Sequence, residues 1–241
     1  MMIAAEWSQF AAWAREFGAK LTNEQVSQFV AYQALLLDWN ERMNLTAVRD
    51  PENIRIRHFL DSLSCVQVTG DLNGRSLIDI GTGAGFPGLP LKILFPQLRL
   101  TLVESIGKKG QFLQAVVNEL GLSEVVILTE RAELLGQSPQ HREQYDWAIA
   151  RAVAELRTLA EYLLPLCKVG GTMLAQKGES AQKEVIDAQK AIQLLGGLKP
   201  QLTDLYLPDR DQPHYLIMIK KVGKTPGKYP RRVGMPSKRP L

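Results

Sequence analysis

The most informative part of this sequence is the segment Leu77-Ile78-Asp79-Ile80-Gly81-Thr82-Gly83-Ala84-Gly85-Phe86-Pro87-Gly88. An apolar run enters a loop of closely spaced glycines, and a helical pattern follows the loop. Glycine permits positive φ and lets a ligand approach the backbone closely. Because Gly83, Gly85 and Gly88 also satisfy G-x-G-x-x-G, the segment predicts a ligand-binding loop at the carboxyl end of the first strand of a doubly wound sheet.

Short strands and helices alternate after this loop. The predicted strands cover 76–80, 98–104, 125–129, 145–150 and 172–176, and the predicted helices cover 87–95, 108–120, 155–164 and 179–195. Two last strands, over 198–207 and 214–221, follow each other without a helix. This order predicts an α/β fold with a doubly wound, Rossmann-like sheet that is mostly parallel and has an antiparallel C-terminal edge.

The residues before the loop have helical patterns. Trp7 and Phe10 belong to an apolar stripe at helical spacing, and Thr22 followed by Gln25 forms a capping box for a second helix. Asp50-Pro51 has the residues of a helix start and predicts a third helix. We therefore expect an N-terminal helical extension in front of the sheet.

Composition limits the possible classes of protein. The 241 residues are 45% hydrophobic, and glycine and proline are near their average frequencies, which excludes collagen-like and wholly disordered chains. No apolar run approaches the roughly 18 residues that a membrane span needs. Neither Cys65 nor Cys167 has the spacing of a metal site. We expect a cytoplasmic protein with no membrane-spanning segment and no bound metal.

Charge is distributed unevenly along the chain. Residues 220–241 contain eight basic residues and no acidic ones, whereas the other 219 residues carry a net charge of −4. A concentrated basic end predicts a polyanionic partner, with a solubilising tail as the alternative. We divide the chain into a helical extension over 1–74, a sheet domain over 75–222 and a basic Pro/Gly-containing tail over 223–241, where we expect no regular element.

Two carboxylates near the glycine loop help to indicate which ligand the loop binds. Asp79 lies two residues before Gly81, where a negative charge repels a pyrophosphate but suits the ammonium and sulfonium groups of S-adenosylmethionine. Glu104 ends the next strand, where it can accept hydrogen bonds from both hydroxyls of a ribose, as acidic residues also do in NAD sites. Asp79 and the lack of a catalytic constellation for nicotinamide favour S-adenosylmethionine over NAD.

The segment after the fourth strand, residues 146–153, bears on the reaction. It contains no Asn/Asp-Pro-Pro-Tyr, the loop that receives an exocyclic amino group in adenine-N6 methyltransferases. It also contains no Pro-Cys nucleophile for methylation at pyrimidine carbon 5. Two kinds of base methylation are therefore disfavoured, and others stay open.

Several motifs resemble those of one known family. They are Asn44-Leu45-Thr46, Arg57-His58-Phe59-Leu60-Asp61-Ser62, the loop segment 79–88, Arg131-Ala132-Glu133, Arg151-Ala152 and Tyr229-Pro230-Arg231-Arg232. Together they resemble the RsmG (GidB) family of bacterial methyltransferases, which make 7-methylguanosine in the 530 loop of 16S ribosomal RNA. The resemblance covers nearly the whole chain, and the Gly-Phe-Pro-Gly variant and the Pro-Arg-Arg ending are its most specific parts.

The resemblance implies a methyltransferase fold that uses S-adenosylmethionine. With the loop residues Asp79 and Gly83, the cofactor-binding residues it implies are Gly81, Phe86, Glu104, Ser105, Ile106, Ala132, Glu133 and Arg151. It also implies 16S rRNA or the small ribosomal subunit as the partner of a chain that we expect to be a monomer. Guanine N7 carries a lone pair and no proton, so we predict no catalytic base, and the site would act by positioning and charge.

Three other functions stay open at this point. They are a methyltransferase for small molecules, a ribosome-assembly factor that keeps the fold without catalysis, and an NAD-dependent oxidoreductase. The third predicted helix carries Arg55, Arg57, His58 and Asp61 on one face. That face either approaches the carboxyl edge of the sheet and helps to bind RNA, or is an ordinary polar helix surface.

Overall fold

This computed structural model describes residues 4–208 and 212–241. A seven-stranded sheet lies at the centre of this part of the chain. Its strands are β1 (Ser76–Ile80), β2 (Arg99–Val103), β3 (Val125–Leu128), β4 (Tyr145–Arg151), β5 (Cys167–Lys177), β6 (Gln201–Leu205) and β7 (His214–Lys220). They lie in the order β3-β2-β1-β4-β5-β7-β6. Strands β1 to β5 are parallel, and β7 and β6 complete an antiparallel edge, which confirms the predicted sheet.

Strand β5 begins five residues earlier than the sequence pattern predicts. The pattern places its start at residue 172, but Cys167 already pairs with Tyr145, and the pairing shifts register before Trp147. Gly171 allows this irregular pairing, since a Cβ at that position would lie 2.9 Å from each of three backbone oxygens. The two glycines that suggested a break therefore let the strand continue through a bulge.

Helices cover both faces of the sheet. They are α6 (Gly88–Leu94), α7 (Gly107–Glu119), α8 (Ala132–Gln137), α9 (Leu156–Leu163) and α10 (Ala181–Leu194). Side chains alternate between the faces along β1: Leu77 packs in the core with α6 and α7, and Ile78 in the core with α9 and α10. Helix α8 has only six residues, too few for its apolar pattern to stand out in the sequence.

The N-terminal extension packs on the same core as α6 and α7. It contains α1 (Ala5–Glu16), α2 (Asn23–Arg42), α3 (Pro51–Ile54), α4 (Asp61–Leu63) and α5 (Val66–Thr69). The predicted capping box of Thr22 and Gln25 is present at the start of α2. The third helix differs from the prediction, because a π-helical turn over Arg55–Leu60 lies between α3 and α4. Such turns occur often at functional sites.

The basic tail is bound to the body of the protein. Tyr229 is buried in the core with α9, and a short helix, α11 (Met235–Lys238), contradicts the expectation that the tail holds no regular element. The contacts that order this segment come from residues far away in the sequence, which explains why its composition did not predict them. Within the described residues, no helix is both long and apolar enough to cross a membrane.

Candidate functional site

A cavity of about 200 Å³ opens at the carboxyl ends of β1 to β4. Four of the ten predicted cofactor-binding residues line it: Gly81, Ser105, Ala132 and Glu133. The carboxyl ends of parallel strands meet at one edge of the sheet, and the edge next to the first strand is where doubly wound sheets bind ligands. We refer to this space as the first cavity.

Glu104 lies between two residues that line the first cavity, Val103 and Ser105, and it joins the loops that follow β1 and β2. It is buried, and its carboxylate accepts hydrogen bonds from the backbone N–H groups of Gly83 (3.2 Å) and Ile106 (2.9 Å). Ser105 and Ile106 are exposed beside it. A carboxylate held by two backbone donors still has lone pairs that can accept from hydroxyl groups of a ligand.

Asp79 lies at the end of β1 but does not line either of the cavities described here. It is fully buried, and one carboxylate oxygen accepts hydrogen bonds from Thr82 Oγ1 (2.7 Å) and from the backbone N–H of Gly88 (2.9 Å). The other oxygen has no hydrogen-bond partner among the described residues. Burial raises the pKa of Asp79 to about 7. Asp79 therefore holds the two ends of the glycine loop together.

A second cavity of about 320 Å³ lies beside the first. Its walls include Arg57, His58, Asp61, Arg151, Ala152, Gln176 and His214. Arg151 donates hydrogen bonds to Asp61 Oδ2 (2.8 Å) and to the carbonyl of Arg57 (3.1 Å). His214 Nδ1 lies 3.5 Å from the other oxygen of Asp61. Of the polar helix face predicted from the sequence, Arg57, His58 and Asp61 therefore lie at the carboxyl edge of the sheet. Arg55 does not, because it is buried over the ring of Trp7.

The ring of Phe86 packs beneath the polar side chains that line the second cavity. This ring stacks on His58 with centroids 4.7 Å apart, and the Arg151 guanidinium carbon lies 5.0 Å from its centroid. Phe86 is itself buried against Tyr32 of α2, at a centroid distance of 5.5 Å. The structure therefore places Phe86 and Arg151 at the second cavity, whereas Gly81 and Glu133 line the first.

His58 is uncharged at neutral pH in the folded protein. Burial disfavours the charged ring, and the nearby Arg151 adds repulsion, so the pKa of His58 falls from 6.5 to about 4. Its Nε2 lies 2.7 Å from Thr46 Oγ1, which fixes the ring over Phe86. His58 therefore lies at the second cavity as a neutral hydrogen-bonding group.

Acidification is expected to destabilise the folded state through His58. The unfolded chain binds a proton near pH 6.5 and the folded chain only near pH 4, so stability falls as pH drops through this range. At about pH 5, protonation of His58 in the unfolded chain has lowered the free energy of unfolding by up to about 2 kcal/mol. Urea unfolding of the wild type and of His58→Gln at about pH 7.5 and about pH 5 tests this. The wild type should lose more stability than the variant, and equal losses would contradict the prediction.

Several residues at these cavities have no signal in the sequence. Val153, Tyr162 and Ser237 line the first cavity, and His214 and Gln176 line the second. They come from β5, β7, α9, the loop after β4 and the tail, and none belongs to a local motif. His214 starts β7, and the antiparallel pairing of that strand with β5 brings it to the carboxyl edge. Only a prediction of the strand order in the sheet would have placed His214 at this cavity.

The groups around the first cavity suit a ligand that carries hydroxyl groups and a positive charge. Glu104 is an acceptor for hydroxyl groups, and Glu133 is a buried carboxylate whose partners here are neutral: the Gly234 amide, which donates to it, and the nearby Tyr162 hydroxyl. Space is open in front of Gly83, where a Cβ would meet no atom within 4 Å. Glu104 has the Lys109 ammonium 4.0 Å away, but a buried carboxylate such as Glu133, without a cation, is costly unless a ligand supplies donors or positive charge.

The chain is similar to proteins of known family. The GidB family model, described as rRNA small subunit methyltransferase G, matches residues 25–211. The ribosomal RNA small subunit methyltransferase G of Roseiflexus sp. (strain RS-1) is 54% identical over 228 residues, which cover 95% of this chain and 97% of that protein. The protein of the same description from Alkaliphilus metalliredigens is 48% identical and covers 94% and 95% of the two chains.

Solved structures share the fold at low sequence identity. A SAM-dependent O-methyltransferase from Thermotoga maritima has a TM-score of 0.53 and 18% identity, and the match covers 78% of this chain and 72% of that one. A predicted O-methyltransferase from Agrobacterium tumefaciens has a TM-score of 0.54 and 16% identity, with 68% and 80% covered. These likenesses place the sheet among methyltransferase folds.

Proposed function

The chain belongs to the GidB family of rRNA small subunit methyltransferases G, and we propose that it transfers the methyl group of S-adenosylmethionine to N7 of a guanine in the 530 loop of 16S ribosomal RNA. We further propose that it acts in the cytoplasm as a monomer, on the RNA itself or on the small ribosomal subunit. In this proposal the first cavity binds the cofactor and the second receives the guanine.

The proposal depends on one observation: a single loop separates the two cavities. Arg151 and Ala152 line the second cavity, and the next two residues, Val153 and Ala154, line the first. Two ligands bound on either side of this loop would be close neighbours. A methyl transfer needs this proximity, because the donor carbon and the acceptor nitrogen must approach to about 3 Å.

The residues of the second cavity can orient a guanine without taking a proton. When bound, the cofactor would supply an electrophilic methyl group, whose bond to sulfur would break as N7 donates its lone pair, with S-adenosylhomocysteine as the leaving group. Arg151 uses part of its five N–H donors on Asp61 and the carbonyl of Arg57, which leaves others for O6 of the base. Neutral His58, held in place by stacking on Phe86, adds an aromatic ring to the cavity wall. Buried Asp61 offsets the positive charge that develops on the methylated purine.

Exposed basic residues favour an RNA substrate over a small molecule. Arg232, Lys238 and Arg239 are exposed on the tail, next to Ser237 in the wall of the first cavity. Arg131 is exposed at the start of α8 and also lines this cavity. A phosphate backbone crossing the two cavities would meet these side chains, and a small substrate would not need them.

Mapping the methylated nucleotide tests the proposed function. Purified protein is incubated with labelled S-adenosylmethionine and either deproteinised 16S rRNA or 30S subunits from a strain that lacks this activity. We expect one labelled guanine in the 530 loop, with the label released by chemistry specific for 7-methylguanosine. Label on another atom or nucleotide would contradict the substrate assignment, and absence of label on both substrates despite cofactor binding would favour a non-catalytic assembly factor.

A further inference from the structure

Arg231 anchors the basic tail through an ion pair with the buried side chain of Glu161. Its guanidinium donates to both oxygens of Glu161, with Nη2 2.6 Å from Oε2 and Nε 2.9 Å from Oε1, and its backbone N–H donates to Oε1 at 2.8 Å. Glu161 lies on α9 and is fully buried. Glu161 neutralises the guanidinium charge and occupies its Nε and Nη2 donors, so one of the two adjacent arginines of the tail is bound mainly to the protein itself.

Further contacts fasten the same part of the tail to α8. The Gln137 amide donates to the carbonyl of Pro230 at 2.7 Å, and Arg142 donates to the carbonyls of Tyr229 (2.7 Å) and Gly136 (2.6 Å). Pro230 occupies the place of a side chain on Gly136, where a Cβ would lie 2.7 Å from the proline ring. We call residues 229–239 the strap, because they cross α8 and α9 and bind both.

The strap ends at the first cavity. The backbone N–H of Gly234 donates to Glu133 Oε1 at 2.9 Å, and the hydroxyls of Ser237 and Tyr162 lie 2.8 Å apart. Glu133, Tyr162 and Ser237 all line the cavity. The carboxylate of Glu133 is therefore held by a neutral backbone amide from the strap, and its remaining lone pairs are available to a ligand.

We propose that the strap is part of the cofactor site, with Arg231 as a positioning residue that acts through Glu133. This inference rests on the proposed function, since the ligand is S-adenosylmethionine. The strap thus has two roles on adjacent residues: Arg231 maintains the wall of the first cavity, and exposed Arg232 faces solvent, where RNA phosphates can bind.

Loss of the Arg231 guanidinium should loosen the strap and weaken cofactor binding. Glu161 would remain buried without its cation, which is unfavourable unless the segment opens to water. When the strap opens, Glu133 loses the Gly234 donor and the cavity loses Ser237 from its wall. Loss of an ordered hydrogen bond to a charged group corresponds to roughly a tenfold change in affinity.

The test compares Arg231→Gln with Arg232→Gln in the full-length protein. Calorimetry with S-adenosylmethionine and with S-adenosylhomocysteine measures cofactor binding, and initial rates measure the KM for rRNA. We expect Arg231→Gln to raise the cofactor Kd roughly tenfold. Arg232→Gln should leave that Kd unchanged and raise the KM for rRNA, less so at high salt because the variant makes one phosphate contact fewer. Wild-type cofactor affinity in Arg231→Gln would overturn the proposal.

A second pair of variants leaves the ion pair of Arg231 and Glu161 intact. Ser237 is exposed at the cavity wall, so Ser237→Phe should fold normally and block the ligand, whereas Lys238→Phe, at an exposed neighbour outside the wall, should not. Equal cofactor affinity in both would overturn the strap proposal even if Arg231→Gln failed to fold. If the wild type itself binds no S-adenosylmethionine, the proposed function fails and this inference fails with it.

Discussion

Arg151→Gln is expected to lower the rate of methyl transfer at saturating substrates by about 10²- to 10³-fold. Arg151 ends β4, directly before the loop between the two cavities, and its guanidinium carbon is 5.0 Å from the centre of the Phe86 ring. The uncharged glutamine side chain is shorter and presents fewer donors, so it cannot hold both Asp61 and O6 of the guanine. Single-turnover rates with prebound cofactor measure this step apart from cofactor affinity.

The same substitution should also destabilise the protein, which the experiment must separate from catalysis. Arg151 and Asp61 form a buried pair at 2.8 Å, and removal of one partner leaves the other charge uncompensated. We expect a loss of about 3–5 kcal/mol in the free energy of unfolding. The double variant Arg151→Gln/Asp61→Asn removes both charges and should recover much of that stability.

The double variant is the matched control for the rate. If Arg151 acts on the guanine, the double variant should be stable yet at least as slow as the single one, because it lacks the Asp61 carboxylate as well. Recovery of the rate together with stability would show that Arg151 matters only for folding and would contradict the predicted role. Circular dichroism at the assay temperature shows which fraction of each variant is folded.

Gly83→Ala is expected to raise the Kd for S-adenosylmethionine roughly tenfold or more, with a loss of only about 1–2 kcal/mol in the free energy of unfolding. Gly83 has φ +61°, and a Cβ there would project into space with no atom within 4 Å. The folded protein therefore accommodates the methyl group sterically, at a cost of about 1–2 kcal/mol for the left-handed backbone. A ligand approaching this backbone would meet the methyl group directly.

Gly121→Ala provides a control with the same backbone geometry. Gly121 also has φ +61° and open space at the position of a Cβ, but it follows α7 and precedes β3, at the opposite end of the sheet. The two variants should lose similar amounts of stability in urea unfolding, and only Gly83→Ala should lose cofactor affinity. Equal cofactor affinity in both variants would exclude the ligand from the space in front of Gly83.

Local sequence patterns were sufficient for most of the fold. The strand before Gly81, the alternation after it and the last two strands without a helix predicted the parallel sheet and its antiparallel edge, and the structure confirms both. Patterns of this kind are local, since burial on one or both faces sets the period of apolar residues within each element. They did not reveal the six residues of α8 or the π-helical turn, where fewer than two turns carry the pattern.

The predicted cofactor residues show which structural features local sequence patterns do not determine. All ten lie near the carboxyl edge, as motifs at strand ends should, but the sequence could not tell which cavity each one faces. Gly81 and Glu133 line the first cavity, and Arg151 lines the second, with Phe86 packed against it. Whether these residues contact the cofactor stays a prediction.

The basic tail marks the difference between local and long-range information most clearly. Its charge follows from composition alone, and a run of Lys and Arg without acidic residues predicts a polyanionic partner. That Arg231 is bound to buried Glu161 while Arg232 remains exposed depends on a contact across 70 residues of sequence. The chain sequence therefore sets the elements and the overall charge, because these depend on near neighbours. Only the packed structure decides which charges face the cofactor, the RNA or each other, because burial and pairing depend on residues brought together by folding.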